Sequence, residues 1–133
     1  AWLYPLRDMN PNGDAKDELM NYVRRKLDLS RNFPRESRLF ANEIVQGAPR
    51  IDTFLKGDLK NLVDEKAKVI SGWMDQGLIA RFDPHHLIFS IWSLTQHYAD
   101  FEAQTSLIMG KDSDKIYDDA SIFLEAIFEK ILA

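Results

Sequence analysis

Apolar residues recur through this chain at the spacing of an α-helix, and nowhere at the spacing of a β-strand. Asp14 can cap a first full helix in which Leu19, Tyr22, Val23 and Leu27 fall on one face. Pro34 suits the first turn of a second, carrying Leu39, Phe40, Ile44 and Val45 up to a stop at Gly47. The apolar positions from Ile51 through Leu59, Val63, Ile70 and Trp73 to Met74 describe a long third helix ending at Gly77. Gly57 and Gly72 lie inside it, each costing about 1 kcal/mol relative to alanine, so either can mark a bend or a close contact. Asp83-Pro84 starts a fourth helix that runs to Gly110, and Asp112 to Asp114 open a fifth. Residues 1–10 read as the end of a still earlier helix, stopped near Pro11. An Asn-Gly pair occurs in "NPNGDAK", but its flanks do not alternate as a hairpin's would. The expectation is an all-α domain over residues 1–133, with five main helices after the end of a connecting one.

The absence of cysteine removes disulfides and thiolate metal sites, and fits a reducing cytoplasm. No apolar run is long enough to span a bilayer. The opening "AWLYPL" reads like the interior of a longer protein. A net charge of −4 argues against a nucleic-acid-binding domain, which needs cations to displace counterions. The one basic cluster, Arg24, Arg25, Lys26, Arg31, Arg35 and Arg38, reads as a solvated helix face.

The fifth helix carries a wide stripe: Ile116, Ala120, Phe123, Leu124, Ile127, Phe128 and Ile131. Two readings stand. The stripe closes the core of one chain, or it pairs, with Phe101 and Leu107 of the fourth helix, against the same surface of a second copy. Two-fold pairing is the commonest oligomer geometry, and a homodimer is the expectation adopted.

Reaction chemistry is hard to find. No glycine-rich phosphate loop and no nucleophile elbow is present. His85 and His86 are adjacent and point about 100° apart on a helix, and His97 is three turns away, so no metal site is expected. The carboxylates sit on polar faces. Neither an enzyme nor a bound cofactor is indicated.

One stretch remains, "HLIFSIWSLTQHYADF", residues 86–101. Trp92 and Gln96 are i and i+4 and share a helix face. An indole offers a flat platform to a planar ring, and a carboxamide complements a ring edge of the form C(=O)–N–H. Alternatively, Trp92 is core and Gln96 bonds a backbone carbonyl. Spacing alone leaves both readings open.

The segments "RLFANEIVQGAP", "GDLKNLVDEKAKVISGW" and "DPHHLIFSIWSLTQHYADF" resemble the C-terminal domain of TetR-family transcriptional repressors, and among them the pyrimidine-sensing members. The likeness runs from Trp2 to about Gly110 and is weaker over the last helix. It implies an all-helical effector-binding domain whose last two helices form a dimer interface. It also implies that operator DNA is contacted only through an N-terminal helix-turn-helix head that these residues do not include. Trp2, Trp92 and Gln96 match the aromatic and amide positions that hold a pyrimidine base, uracil or thymine, in those relatives. Phe40, Trp73, Phe89 and Tyr98 are further candidate walls by helical position. The segment "YPLRDMNPNGDAKDE" and the last helix depart from the pattern, which leaves room for another planar ligand, or for a dimerisation module with no ligand.

Overall fold

A computed structural model describes residues 4–133. Every regular element among them is helical. A short α1 (Tyr4–Arg7) precedes α2 (Ala15–Asn32). The Asp14 carboxylate caps α2 by accepting from the Asp17 N–H at 3.0 Å, as its position before the apolar stripe predicts. Phe33 leaves the helical region at φ −133°, and Pro34 starts α3 (Pro34–Val45), which ends before Gly47 at φ +92°.

The long third helix is not continuous. A single turn, α4 (Asp52–Phe54), passes into a π-helical turn over Leu55–Leu59 before α5 (Lys60–Asp75) begins. Gly57 lies in that π turn, whereas Gly72 sits inside the regular α5. A Cβ at either glycine would meet nothing within 4 Å, so neither is kept small by a neighbour.

The fourth helix is divided as well. Its α6 (Pro84–Asp100) is capped by Asp83, which accepts from the His86 N–H at 3.0 Å. Phe101, at φ −119° and ψ 33°, then breaks the helix, and α7 (Glu102–Met109) follows to a left-handed Gly110. The Phe101 N–H still bonds the His97 carbonyl, and its own carbonyl accepts from Thr105, so one residue re-aims the chain without orphaning a backbone group. Hydrophobic period does not register such a break. Asp112 caps α8 (Ser113–Leu132) through the Lys115 N–H at 3.0 Å.

The core gathers around α2, which packs against α6, α8 and α3. Leu19, Tyr22 and Val23 meet Ile88 and Ile91 of α6, Ile70 and Trp73 of α5, and Leu124 and Phe128 of α8 in one cluster. This corrects part of the dimer expectation. Ile116, Leu124 and Phe128 are buried within a single chain, at 2%, 1% and 0% exposure, so they cannot face a partner. They form an i, i+4 row with Ala120 and Leu132, and all of that row but Ile116 joins the core cluster around α2. Ile127 and Ile131 are half-buried beside it. Phe123 lies about 100° away around the helix and is exposed, as are Phe101 and Leu107.

Most of the basic cluster is engaged in ion pairs. Arg24 pairs with Glu125 of α8, Arg31 with Asp118 at 3.0 Å and Asp114 at 3.3 Å, and Arg25 with Asp8 at 3.1 Å. Lys16 reaches Glu129 at 2.6 Å. Three of these four basic residues lie along the α2–α8 seam. His85 joins α6 to α5 through Asp64 at 2.9 Å. Among the described residues no group of side chains could hold a metal ion, and no helix is long and apolar enough to cross a membrane.

Candidate functional site

Two helical pairs face each other across the α2–α6 contact: Tyr22 and Lys26 on α2, Trp92 and Gln96 on α6. Each pair is spaced by one turn, so all four side chains line the same hollow. Ser37 and Phe40 of α3 form another wall, and Ile51, Phe54 and Leu59, around α4 and the π turn, a further one. Leu6 of α1 reaches it from the N-terminal side. The cavity encloses about 350 Å3, near the lower end of the roughly 300–1,000 Å3 typical of small-molecule sites. The π turn is part of its wall, and such turns recur where a regular helix would place side chains wrongly for a site.

The indole is held in place. Trp92 Nε1–H donates to the Tyr22 hydroxyl at 2.7 Å. Burial pushes the Tyr22 phenol well above its usual range, so it remains neutral and can serve as acceptor. Phe89 packs on Trp92 at 5.6 Å between ring centres. Gln96 is half-buried one turn on, and its carboxamide makes no side-chain hydrogen bond among the described residues.

The polar groups concentrate at one end. Lys26 is 3% exposed, and burial lowers its ammonium pKa to about 8 despite the opposing field of Asp100. Ser37 Oγ–H donates to the Asp100 carboxylate at 2.6 Å. Arg38 donates to the Ala99 carbonyl at 3.1 Å, fastening α3 to the end of α6.

The residues singled out in the sequence divide. Phe40, Trp92 and Gln96 line the cavity together. Trp73 does not: it is buried in the core cluster, on α5, which packs against α6. Phe89 is largely exposed and buttresses Trp92 instead of facing the hollow, and Tyr98 packs against Tyr117 at 6.2 Å. Trp2 lies outside the described residues. Sequence reasoning missed Tyr22, Lys26 and Ser37. For Lys26 a signal existed: it interrupts the apolar stripe of α2 between Val23 and Leu27, where a charged side chain must have a reason to be buried.

Comparison with known proteins agrees with this architecture. A family model described as "YcdC-like protein, C-terminal region" matches residues 1–132. The chain belongs to the TetR family. Proteins named HTH-type transcriptional regulator RutR, from Escherichia coli O157:H7, Escherichia coli K12 and Shigella flexneri, are each 46% identical to it over 109 residues. That match covers 82% of this chain and 51% of each relative, so the chain spans about half the length of the regulators it matches. TetR-family regulators are not enzymes, and the all-α fold is the one expected of a TetR C-terminal region.

Proposed function

We propose that this chain is the effector-sensing and dimerisation part of a transcriptional repressor, and that its effector is a pyrimidine base, uracil or thymine. The observation that carries the reading is the shared cavity of Trp92 and Gln96. A carboxamide without a side-chain hydrogen bond among the described residues, beside an indole oriented by Tyr22, suits a flat ring with a C(=O)–N–H edge. A ligand lacking that edge leaves the amide unpaired once water is expelled, at about 1–3 kcal/mol. Phe40 contributes a second aromatic wall.

Binding is coupled to DNA release through α1. Leu6 touches the cavity, and Lys66 of α5 holds the following turn by donating to the Met9 carbonyl at 2.9 Å. A base that binds one placement of α1 better than another shifts the head that α1 connects to, and operator DNA is contacted only by that helix-turn-helix head. Two copies meet through the exposed apolar face of α7 and α8, formed by Phe101, Leu107 and Phe123 with Ile108, Met109 and Ile122. A regulator of this kind works in the cytoplasm.

Titration with uracil and thymine, followed by tryptophan fluorescence, tests the reading. Saturable quenching is expected, with Gln96→Ala weakening affinity by about tenfold or more at unchanged helicity. Unchanged affinity in Gln96→Ala would remove its assigned role, and no quenching by either base would remove the pyrimidine.

A further inference from the structure

The reading above assigns Lys26 no part in ligand recognition. It is buried, it stands one turn from Tyr22, and it lines the same cavity as Trp92 and Gln96. The other buried lysine is different in placement. Lys66 lies away from this cavity and ties down the Met9 carbonyl. Lys26 shares its end of the cavity wall with Ser37, whose hydroxyl is committed to Asp100.

Burying an ammonium is costly, and its three donors allow a contact to protein and a contact to a ligand at once. With a pKa of about 8 it still carries its charge at neutral pH. The cavity walls are otherwise mainly apolar, so little water screens that charge. An oxygen bearing negative charge gains most at such a position, because a charge-assisted bond there replaces the lost hydration.

We propose that Lys26 makes this cavity select planar cyclic amides carrying an anionic ring oxygen over neutral rings of the same shape. The inference rests on the reading that Trp92 and Gln96 receive a planar amide ring. The ring lies on Trp92, its N–H and neighbouring carbonyl meet the Gln96 amide, and its charged oxygen meets Lys26. A cyclic amide enolate fits this pattern, since it keeps its ring N–H groups while its charge resides on ring oxygens. The Asp100 carboxylate is the opposing charge at that end, and the Ser37 hydroxyl already satisfies one of its oxygens.

Calorimetry at pH 7 with two probes, uracil and barbiturate, decides the matter on the wild-type chain, Lys26→Met and Gln96→Ala. The expected result is barbiturate binding at least about tenfold tighter than uracil. Lys26→Met should erase that preference by weakening barbiturate far more than uracil. Gln96→Ala should weaken both probes. Equal affinity of the wild type for the two probes, or a preference that survives in Lys26→Met, overturns the role of Lys26 and leaves the cavity reading standing. Failure of the wild type to bind either ring overturns the cavity reading and this inference with it. Lys26→Gln, read the same way, serves if the methionine variant does not fold.

Discussion

The two sides of α2 are built differently. Toward α8 the contact is tightly packed: Tyr117, Ala120, Leu124, Phe128 and Leu132 all join the core cluster, and ion pairs lie along the outside. Toward α3 and the π turn it is hollow. Ser37 is the one buried residue of α3, and neither α4 nor the π turn buries any. The same helix therefore serves as the centre of a packed core and as the wall of a cavity. The packed side supplies stability, and the hollow side holds the polar groups that would be costly in a close-packed interior. Elements with few buried contacts open at lower free energy than those with many, so the α3 side is the one that opens more readily.

Substitutions can test that contrast. Phe128→Ala should cost about 3–5 kcal/mol, the range for truncating a large core aromatic. Phe40→Ala, on the hollow side, should cost less than about half as much. Urea denaturation of both variants checks this, and equal losses would mean that the α3 side is as tightly packed as the seam.

The pH dependence of stability probes the hollow side alone. The usual lysine value is 10.5, and burial lowers that of Lys26 to about 8. Between those values the unfolded chain binds the proton and the folded chain does not, so this group makes stability rise from pH 8 to 10.5. Below pH 8 both states are protonated and the burial penalty is borne in full. The difference is on the order of 3 kcal/mol. It should be read by comparing wild type with Lys26→Met at pH 7 and pH 10, which cancels the other titrating groups. The methionine variant should be the more stable at pH 7, with the gap closing at pH 10.

A smaller effect is expected at the indole. Tyr22→Phe removes the acceptor of Trp92 Nε1–H and should cost about 1–2 kcal/mol, with a shift in tryptophan emission. Least of all should come from the outside of the seam. Arg24→Ala loses the Glu125 pair, which is largely exposed, and should cost under about 1 kcal/mol, less still at high salt.

How much of this was legible in the sequence varies along the chain. The caps at Asp14, Asp83 and Asp112 and the stops before Gly47 and at Gly110 are local chemistry. Each depends on a side chain or a φ angle within a few residues, so the helix ends were read correctly. The break at Phe101 was not, because it does not interrupt the apolar pattern and carries no proline, and the π turn at Leu55–Leu59 was signalled only by Gly57. The α8 stripe was recognised as apolar, yet its division between core and surface was not. A stripe that wide satisfies two neighbours, and only the angle at which α8 meets α2 selects the inward row.

The site shows the same division. That Trp92 and Gln96 share a face follows from helix geometry and needs no tertiary structure. That Tyr22 and Lys26 stand opposite them does not, since those residues are 70 positions away for the Tyr22–Trp92 hydrogen bond and their distance depends on how α2 and α6 pack. Trp73, an equally plausible aromatic by spacing, is turned into the core by that packing. By itself the sequence determined the helical class, the caps and the family, because these rest on local backbone chemistry and on residue order. Tertiary structure alone decided which aromatics meet the cavity, why a lysine is buried beside it and which face of α8 stays exposed. These are outcomes of helices packing across long stretches of chain, where burial is shared among several elements and no single segment specifies it.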